Sequence, residues 1–87
     1  MGEELVSVCI PAYNSGRFIV RTIESILNQT YKNIEIVIVD DCSSDDTVDK
    51  VKSIKDDRIK LIVNEANLGM SRNWDKCIRS CSGRYVR

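Results

Sequence analysis

The alternation of apolar and polar residues changes its period along the chain and predicts the order of the elements. Four β-branched residues in a row at 36–39 predict a strand that is covered on both faces. Apolar segments at 5–10 and 59–63 predict two further strands, and residues 84–87 begin a fourth. Apolar residues at helical spacing predict amphipathic helices at 17–29, 45–54 and 70–81. The order β-α-β-α-β-α-β with short connections predicts an α/β fold with a parallel, Rossmann-like sheet and right-handed crossovers.

Turn and cap residues sharpen the predicted bounds. Pro11 marks the end of the first strand, because proline cannot donate to a sheet ladder. Asn14 or Ser15 is expected to cap the first helix, and Ser43 or Ser44 the second. The buried side of the third helix is predicted to comprise Met70, Trp74, Cys77, Ile78 and Cys81. The crossover rule predicts that the third, second, first and fourth strands lie side by side in that order.

Composition and charge exclude several classes of protein. Thirteen basic and thirteen acidic side chains give the 87 residues a net charge of zero, so no global basic field favours nucleic acid. No apolar run reaches the ~18 residues of a membrane span, and no charged-then-apolar leader opens the chain. We therefore expect a soluble, unexported protein. The four cysteines lack a Cys-x-x-Cys pair, and Cys9, Cys77 and Cys81 are predicted to be small buried apolar residues.

Polar residues follow the first two strands at the point where each strand ends. Asp40 and Asp41 come directly after the apolar run, and Pro11, Tyr13 and Asn14 follow the first strand. Ligands of open parallel sheets bind beyond the carboxyl ends of the strands, where these residues would meet. An aromatic ring can cover a flat base, and a carboxylate can accept a hydrogen bond from a ring N–H. The pattern is typical of a nucleobase site.

Structural roles also explain the same residues when spacing alone is considered. Asp40 and Asp41 have the chemistry of a turn that enters a helix. Tyr13 could be an aromatic residue that packs at the rim. The basic residues of the third helix, Arg72 among them, have the pattern of a solvated helix face.

Three segments together resemble a known family. They are VSVCIPAYN at 6–14, IESILNQTY at 23–31 and VDDCSSDDT at 39–47. In this order and spacing they resemble the opening of family 2 glycosyltransferases of the GT-A fold. The resemblance covers nearly the whole chain and implies that residues 1–87 are the N-terminal, nucleotide-sugar-binding part of such a domain.

The resemblance implies roles for individual residues. Pro11 and Tyr13 would line the nucleoside, Asp41 would accept from the uracil ring, and Asp40 would hold the loop beside it. Asn14 would belong to the same nucleotide site. The segment 67–73 resembles the loop and helix beside the nucleotide, which implies roles for Asn67, Gly69 and Arg72. The spacing from Gly69 to Arg72 is about two residues shorter than the common pattern, so the role of a solvated helix arginine stays open for Arg72.

The resemblance also implies parts that residues 1–87 do not contain. Family members carry a metal-binding Asp-x-Asp motif just after the strand that begins at Tyr85, and a later carboxylate that acts as base. We therefore expect no catalytic residue and no metal ligand within this chain. A divalent metal, Mg or Mn, is expected for the parent protein. The implied acceptor is a saccharide or a lipid-linked saccharide, and the expected location is cytoplasmic, with the parent peripheral to the inner face of the membrane.

These observations favour the nucleotide-binding front of an inverting glycosyltransferase that uses a nucleotide-diphosphate sugar, UDP-linked by preference. A phosphoacceptor receiver domain would carry its acidic residues after the first and third strands, where Pro11 and Asn64 stand instead. A non-catalytic α/β module that binds nucleotides or serves as a scaffold remains the alternative.

Overall fold

Strands and helices alternate along the chain in the predicted order. The structure is a computed structural model that describes the backbone of residues 4–86 and the side chains of residues 4–83. The strands are β1 (Val6–Ala12), β2 (Ile34–Asp40), β3 (Ile59–Val63) and β4 (Arg84–Val86). The helices are α1 (Ile19–Leu27), α2 (Thr47–Lys52) and α3 (Met70–Arg79).

The four strands form one parallel sheet in the order β3-β2-β1-β4, which confirms the predicted order. β1 and β2 pair along their whole length, from Val6 opposite Ile34 to Ala12 opposite Asp40. Because both strands run in the same direction, the residues that follow Ala12 and Asp40 emerge side by side. The pairing that the predicted site requires is therefore present.

The central strand β2 is covered on both faces, as its apolar run predicts. Residues 36–39 are fully buried. Ile36 and Ile38 pack in one cluster with Ile23 of α1 and Val51 of α2. The alternate residues Val37 and Val39 pack in a second cluster with Cys9 and Cys77. Two helices therefore cover one face of the sheet, and α3 covers the other.

Pro11 does not end β1, contrary to the sequence prediction. The strand continues to Ala12, and Pro11 lies opposite Val39 in the ladder. The Ala12 carbonyl faces β2, where it accepts from the Asp41 N–H at 2.8 Å, so the nitrogen of the preceding residue faces the β4 side. The pairing of β1 with β4 runs only from Val6 to Val8 within the described residues. The missing donor of Pro11 therefore breaks no described ladder bond.

The predicted helix caps are also wrong. Neither α1 nor α2 has a side-chain hydrogen bond at its N-cap. The carbonyl of Ser15, and not its hydroxyl, accepts from the backbone N–H of Ile19 at 2.9 Å. The side chains of Asn14 and Ser43 instead join the loop after β1 to the loop after β2. The polar groups that were expected to cap helices therefore form hydrogen bonds between two loops that are distant in sequence.

A second polar cluster fixes the start of β4 at the amino edge of the sheet. The buried Ser7 hydroxyl donates to the Glu35 carboxylate, which also accepts from the Ser82 N–H. The Gly83 N–H donates to the Ser7 hydroxyl at 2.8 Å. Gly83 lies so close to the Leu5 carbonyl that a Cβ at this position would overlap it. The chain therefore enters β4 through a position without room for a side chain.

We expect Gly83→Ala to lower the free energy of unfolding by about 1–3 kcal/mol, because the new methyl group overlaps the Leu5 backbone, which cannot swing away. Gly16→Ala is the matched control. Its Cβ would overlap mainly the carboxylate of Asp46, an exposed side chain that can move aside. Urea denaturation of the two variants measures the difference, and equal losses would contradict the close packing at Gly83.

Candidate functional site

A cleft of about 930 Å³ opens at the carboxyl edge of the sheet, between the end of β1 and the start of α3. Five of the eight residues predicted for the site line it: Pro11, Tyr13, Asp41, Asn67 and Gly69. The same walls contain Met70 and Trp74 from α3. The structure thus gathers residues from three separate segments that the sequence pattern assigned to one site.

Tyr13 stands at the rim of this cleft. It follows Ala12, the last residue of β1, and is 54% exposed. A ring that is this exposed is not part of the core, so it can present a face to a flat ligand. Whether it stacks on a base stays a prediction.

The carboxylate among the lining residues of the cleft belongs to Asp41, which has 3% of its surface exposed. Its Oδ1 accepts from the Leu68 N–H at 2.7 Å and from the Asn64 amide at 2.9 Å. Its Oδ2 accepts from the Gly69 N–H at 3.0 Å. A carboxylate offers about four acceptor positions, so the described contacts leave about one on Oδ2.

The protonation state of Asp41 follows from these bonds. Burial raises the pKa of a carboxyl group, but the three hydrogen bonds and the nearby charge of Lys76 outweigh it, and the pKa of Asp41 lies below its ordinary value. Asp41 is therefore ionised at neutral pH and can act only as an acceptor.

The loop between β3 and α3, residues 64–69, wraps around Asp41. Gly69 has a φ of 89°, a conformation that favours glycine, and its N–H points at the carboxylate. The Asn67 side chain donates to the Asp41 carbonyl at 3.1 Å. Asn67 and Gly69 thus hold Asp41 in place, and a direct contact of either residue with a ligand stays a prediction.

Sequence reasoning missed the residues that orient this carboxylate from behind. The buried Asn64 amide nitrogen donates to both Asp41 and Asn73, and its oxygen accepts from the Lys76 ammonium at 2.6 Å. The Asn73 amide donates in turn to the Val39 carbonyl at 2.9 Å. Because Lys76 can only donate, the oxygen of Asn64 must face it and the nitrogen must face Asp41. The position of Asn64 directly after a strand was the available signal.

Asp40 and Asn14 hold the loops of the cleft without lining it. The fully buried Asp40 carboxylate accepts from the Ser43 N–H at 2.9 Å and from the Ser43 hydroxyl at 2.6 Å. Asn14 donates through its own N–H to the Ser43 hydroxyl and accepts from the Ser44 N–H, both at 2.8 Å. Their hydrogen bonds link the ends of β1 and β2.

Arg72 lies on α3 as an exposed residue and is not among the lining residues of the cleft. Its predicted contact with a nucleotide stays a prediction. The helix pattern was also wrong at its first turn, because Met70 is 86% exposed and Asn73 is buried in the row that was expected to be apolar.

The described side chains do not supply a metal site. Among residues 4–83 no group of three or more His, Cys, Asp or Glu side chains is arranged to hold an ion. The acidic pair at the cleft is committed to hydrogen bonds, Asp40 with Ser43 and Asp41 with the loop. No helix within the described part of the chain is long and apolar enough to cross a membrane.

Several known proteins with similar sequences are named as glycosyltransferases. The chain is 48% identical over 83 residues to the Escherichia coli protein named UDP-Glc:alpha-D-GlcNAc-diphosphoundecaprenol beta-1,3-glucosyltransferase WfaP. This match covers 95% of the chain and 33% of the relative. The chain thus spans about a third of the length of such relatives.

Solved structures share the fold. Staphylococcus aureus TarS 1–349 in complex with UDP superposes with a TM-score of 0.83 at 28% identity, over 93% of the chain and 26% of TarS. The mannosyltransferase PcManGT from Pyrobaculum calidifontis, in complex with GDP-Man and Mn2+, gives a TM-score of 0.82 at 25% identity. That match covers 94% of the chain and 26% of PcManGT.

These likenesses confirm the predicted fold class, the N-terminal part of a GT-A glycosyltransferase domain. The model of the family described as glycosyl transferase family 2 matches residues 7–87, nearly the whole chain. The predicted resemblance is therefore confirmed, and the chain belongs to glycosyl transferase family 2.

Proposed function

We propose that residues 1–87 form the nucleotide-sugar-binding front of an inverting glycosyltransferase. In this proposal the donor is a UDP-linked sugar, and the acceptor is a saccharide or a lipid-linked saccharide. The observation that carries the proposal is Asp41, a buried carboxylate that stays ionised, lines the cleft and retains about one acceptor position.

The proposed recognition is a clamp on the base. The ring of Tyr13 covers one face of the base, and Asp41 accepts from a ring N–H on its pairing edge. Uracil, thymine and guanine each offer such an N–H, whereas cytosine and adenine present a bare ring nitrogen. A bare nitrogen would leave two acceptors facing each other, which costs about 1–3 kcal/mol when the pair is buried. A single-ring base suits a short rim loop, so uridine ranks first, thymidine second and guanosine third.

The names and ligands of related proteins support this ranking. WfaP is named for a UDP-Glc donor, and TarS is described in complex with UDP. PcManGT is described with GDP-Man, whose guanine also offers a ring N–H. WfaP is further named for an acceptor linked to diphosphoundecaprenol, which supports a lipid-linked acceptor here. Such an acceptor would bring the enzyme to the inner face of the membrane from the cytoplasm.

We also propose that the parent glycosyltransferase uses a divalent metal ion, Mg or Mn. PcManGT is described with Mn2+, and a divalent ion stabilises a departing diphosphate. Its ligands are proposed to lie beyond residue 87, where the family resemblance implies an Asp-x-Asp motif. Residues 1–87 contribute the binding and orientation of the nucleotide.

We expect purified residues 1–87 to show no measurable sugar transfer, even with UDP-glucose, a lipid-linked acceptor analogue and Mn2+ supplied. The chain has no cluster of acids within its described side chains that could hold the metal. A transfer assay with a complete family member as positive control measures this. Robust turnover by residues 1–87 would show that the active site has been misassigned.

We expect UDP to bind residues 1–87 most tightly, followed by dTDP and GDP, with CDP and ADP weaker than UDP by about 5- to 150-fold. Asp41→Asn should reduce the difference in affinity between UDP and CDP or ADP, because an amide can donate a hydrogen bond to the bare ring nitrogen of cytosine or adenine. Isothermal titration with the five diphosphates measures the ranking. Asp49→Asn, on the exposed side of α2, is the matched control. Tightest binding of CDP or ADP, or an unchanged ranking in Asp41→Asn, would contradict the clamp.

We expect the affinity ratio for UDP between the wild type and Asp41→Asn to stay constant from pH 8 to pH 5. The pKa of Asp41 lies below its ordinary value of 3.8, so the carboxylate loses its charge only as the pH falls below about 4. The ratio cancels the titration of the diphosphate, which is common to both proteins. Titrations at pH 8, 7, 6, 5 and 4 measure it.

Asn64→Asp is the control for this pH dependence. The new carboxylate keeps a partner in Lys76 but lies beside Asp41, and a like charge raises the pKa of its neighbour. The loss of UDP affinity in acid should therefore begin at a higher pH in Asn64→Asp than in the wild type. A wild-type ratio that already collapses between pH 7 and pH 5 would contradict an ionised Asp41 as the acceptor.

A further inference from the structure

Three cysteines meet between the sheet and α3. Cys9 lies in β1, Cys77 lies in α3, and Cys81 lies just after the end of α3. The sulfur atoms of Cys9 and Cys81 are 2.7 Å apart. This separation is closer than an ordinary van der Waals contact of two sulfur atoms and about 0.7 Å longer than a disulfide bond. The two side chains therefore already point at each other.

Hydrogen bonds link the three thiols of the cluster to one another and to nearby carbonyls. The Cys77 thiol donates to the Val37 carbonyl at 3.3 Å, which turns it toward β2. The Cys81 and Cys9 thiols both approach the Cys77 carbonyl, at 3.3 and 3.8 Å. The Cys9 and Cys81 sulfur atoms thus approach one carbonyl and each other, while the Cys77 thiol, which also contacts the Cys9 thiol, donates toward β2.

The burial of the pair sets the order in which an oxidant would meet it. Cys9 is 4% exposed, and Cys81 is partly exposed at the surface. Burial raises the pKa of the Cys9 thiol, and its contacts with the neighbouring cysteines raise it further. Cys81 is therefore the residue that a reagent from solution reaches first, and Cys9 is the buried thiol beside it.

We propose that Cys9 and Cys81 form a site of reversible disulfide modification whose co-reactant is a low-molecular-weight disulfide. The Cys81 thiolate attacks one sulfur of the reagent, breaks its S–S bond and releases one thiolate. Cys9 then loses its proton and attacks Cys81 at sulfur, which forms the Cys9–Cys81 bond and releases the second thiolate. Two protein thiols are oxidised by two electrons in total, and the reagent is reduced to two thiols that take up the two protons.

The bond would join the centre of β1 to the segment that leads from α3 into β4. Its ends are 72 residues apart, so it would restrict nearly the whole unfolded chain while requiring little movement of the folded one. Neither cysteine is among the residues that line the cleft. Cys42, which is exposed and lies in the loop after β2, offers a comparison thiol outside the cluster.

The test treats reduced residues 1–87 in the Cys42→Ser background with oxidised glutathione at neutral pH. We expect a mass loss of two hydrogen atoms, a Cys9–Cys81 peptide in an unreduced digest, and a rise in Tm of about 5 °C or more. A phosphine reductant should reverse all three. Cys81→Ser should abolish the mass loss, and Cys77→Ala should leave it in place.

Three outcomes would overturn the proposal. These are a glutathione adduct on Cys81 that does not resolve, a Cys77–Cys81 peptide in place of Cys9–Cys81, and a protein that keeps all its thiols free. The peptide map is made on a protein with all three clustered cysteines intact, so it decides the matter even if a cysteine variant fails to fold. The same peptide map, made on the chain with Cys42 present, shows whether Cys42 forms a disulfide with Cys9 or Cys81 in place of the Cys9–Cys81 bond.

Discussion

The hydrogen bonds to the Asp41 carboxylate are the contacts on which the candidate site depends. Asp41 leaves the central strand at the carboxyl edge of the sheet, and the backbone N–H groups of Leu68 and Gly69 turn toward it. Those bonds fix the loop after β3 and the first turn of α3, which together form one wall of the cleft. Without an acceptor at this position, these two N–H groups of the loop would lose their protein partner.

The same bonds explain why a carboxylate so deeply buried keeps its charge. Burial alone would favour the neutral acid, but three donors and the Lys76 charge favour the ion. Asn64 is central to this balance, because its amide is held by Lys76 on one side and donates to Asp41 on the other. The direction of every bond in the chain of contacts follows from the ammonium group at its end, which can only donate.

Sequence alone predicted the strands, their order and the two-sided burial of β2, because β-branched runs and the crossover rule act over short stretches of chain. It did not predict the loop contacts. Asn14 and Ser44 have the composition of helix caps, yet they bind each other across 30 residues. The burial of Asn73 on the apolar side of α3 could not be predicted either, since its partners, Asn64 and the Val39 carbonyl, lie on other elements. Local patterns cannot show which distant group will satisfy a polar side chain.

Contacts across the loops also bear on how the cleft would bind a flat ligand. The loop after β1 is tied to the loop after β2 through Asn14 and Ser43, and the loop after β3 is tied to Asp41. Each loop is therefore ordered by the protein itself before any ligand arrives. Ordering a loop on binding costs conformational entropy and reduces affinity. A cleft whose walls are already held by hydrogen bonds therefore binds a ligand with a smaller entropic cost. Tyr13 is the exception, because its exposed ring has room to adjust to the base that it would cover.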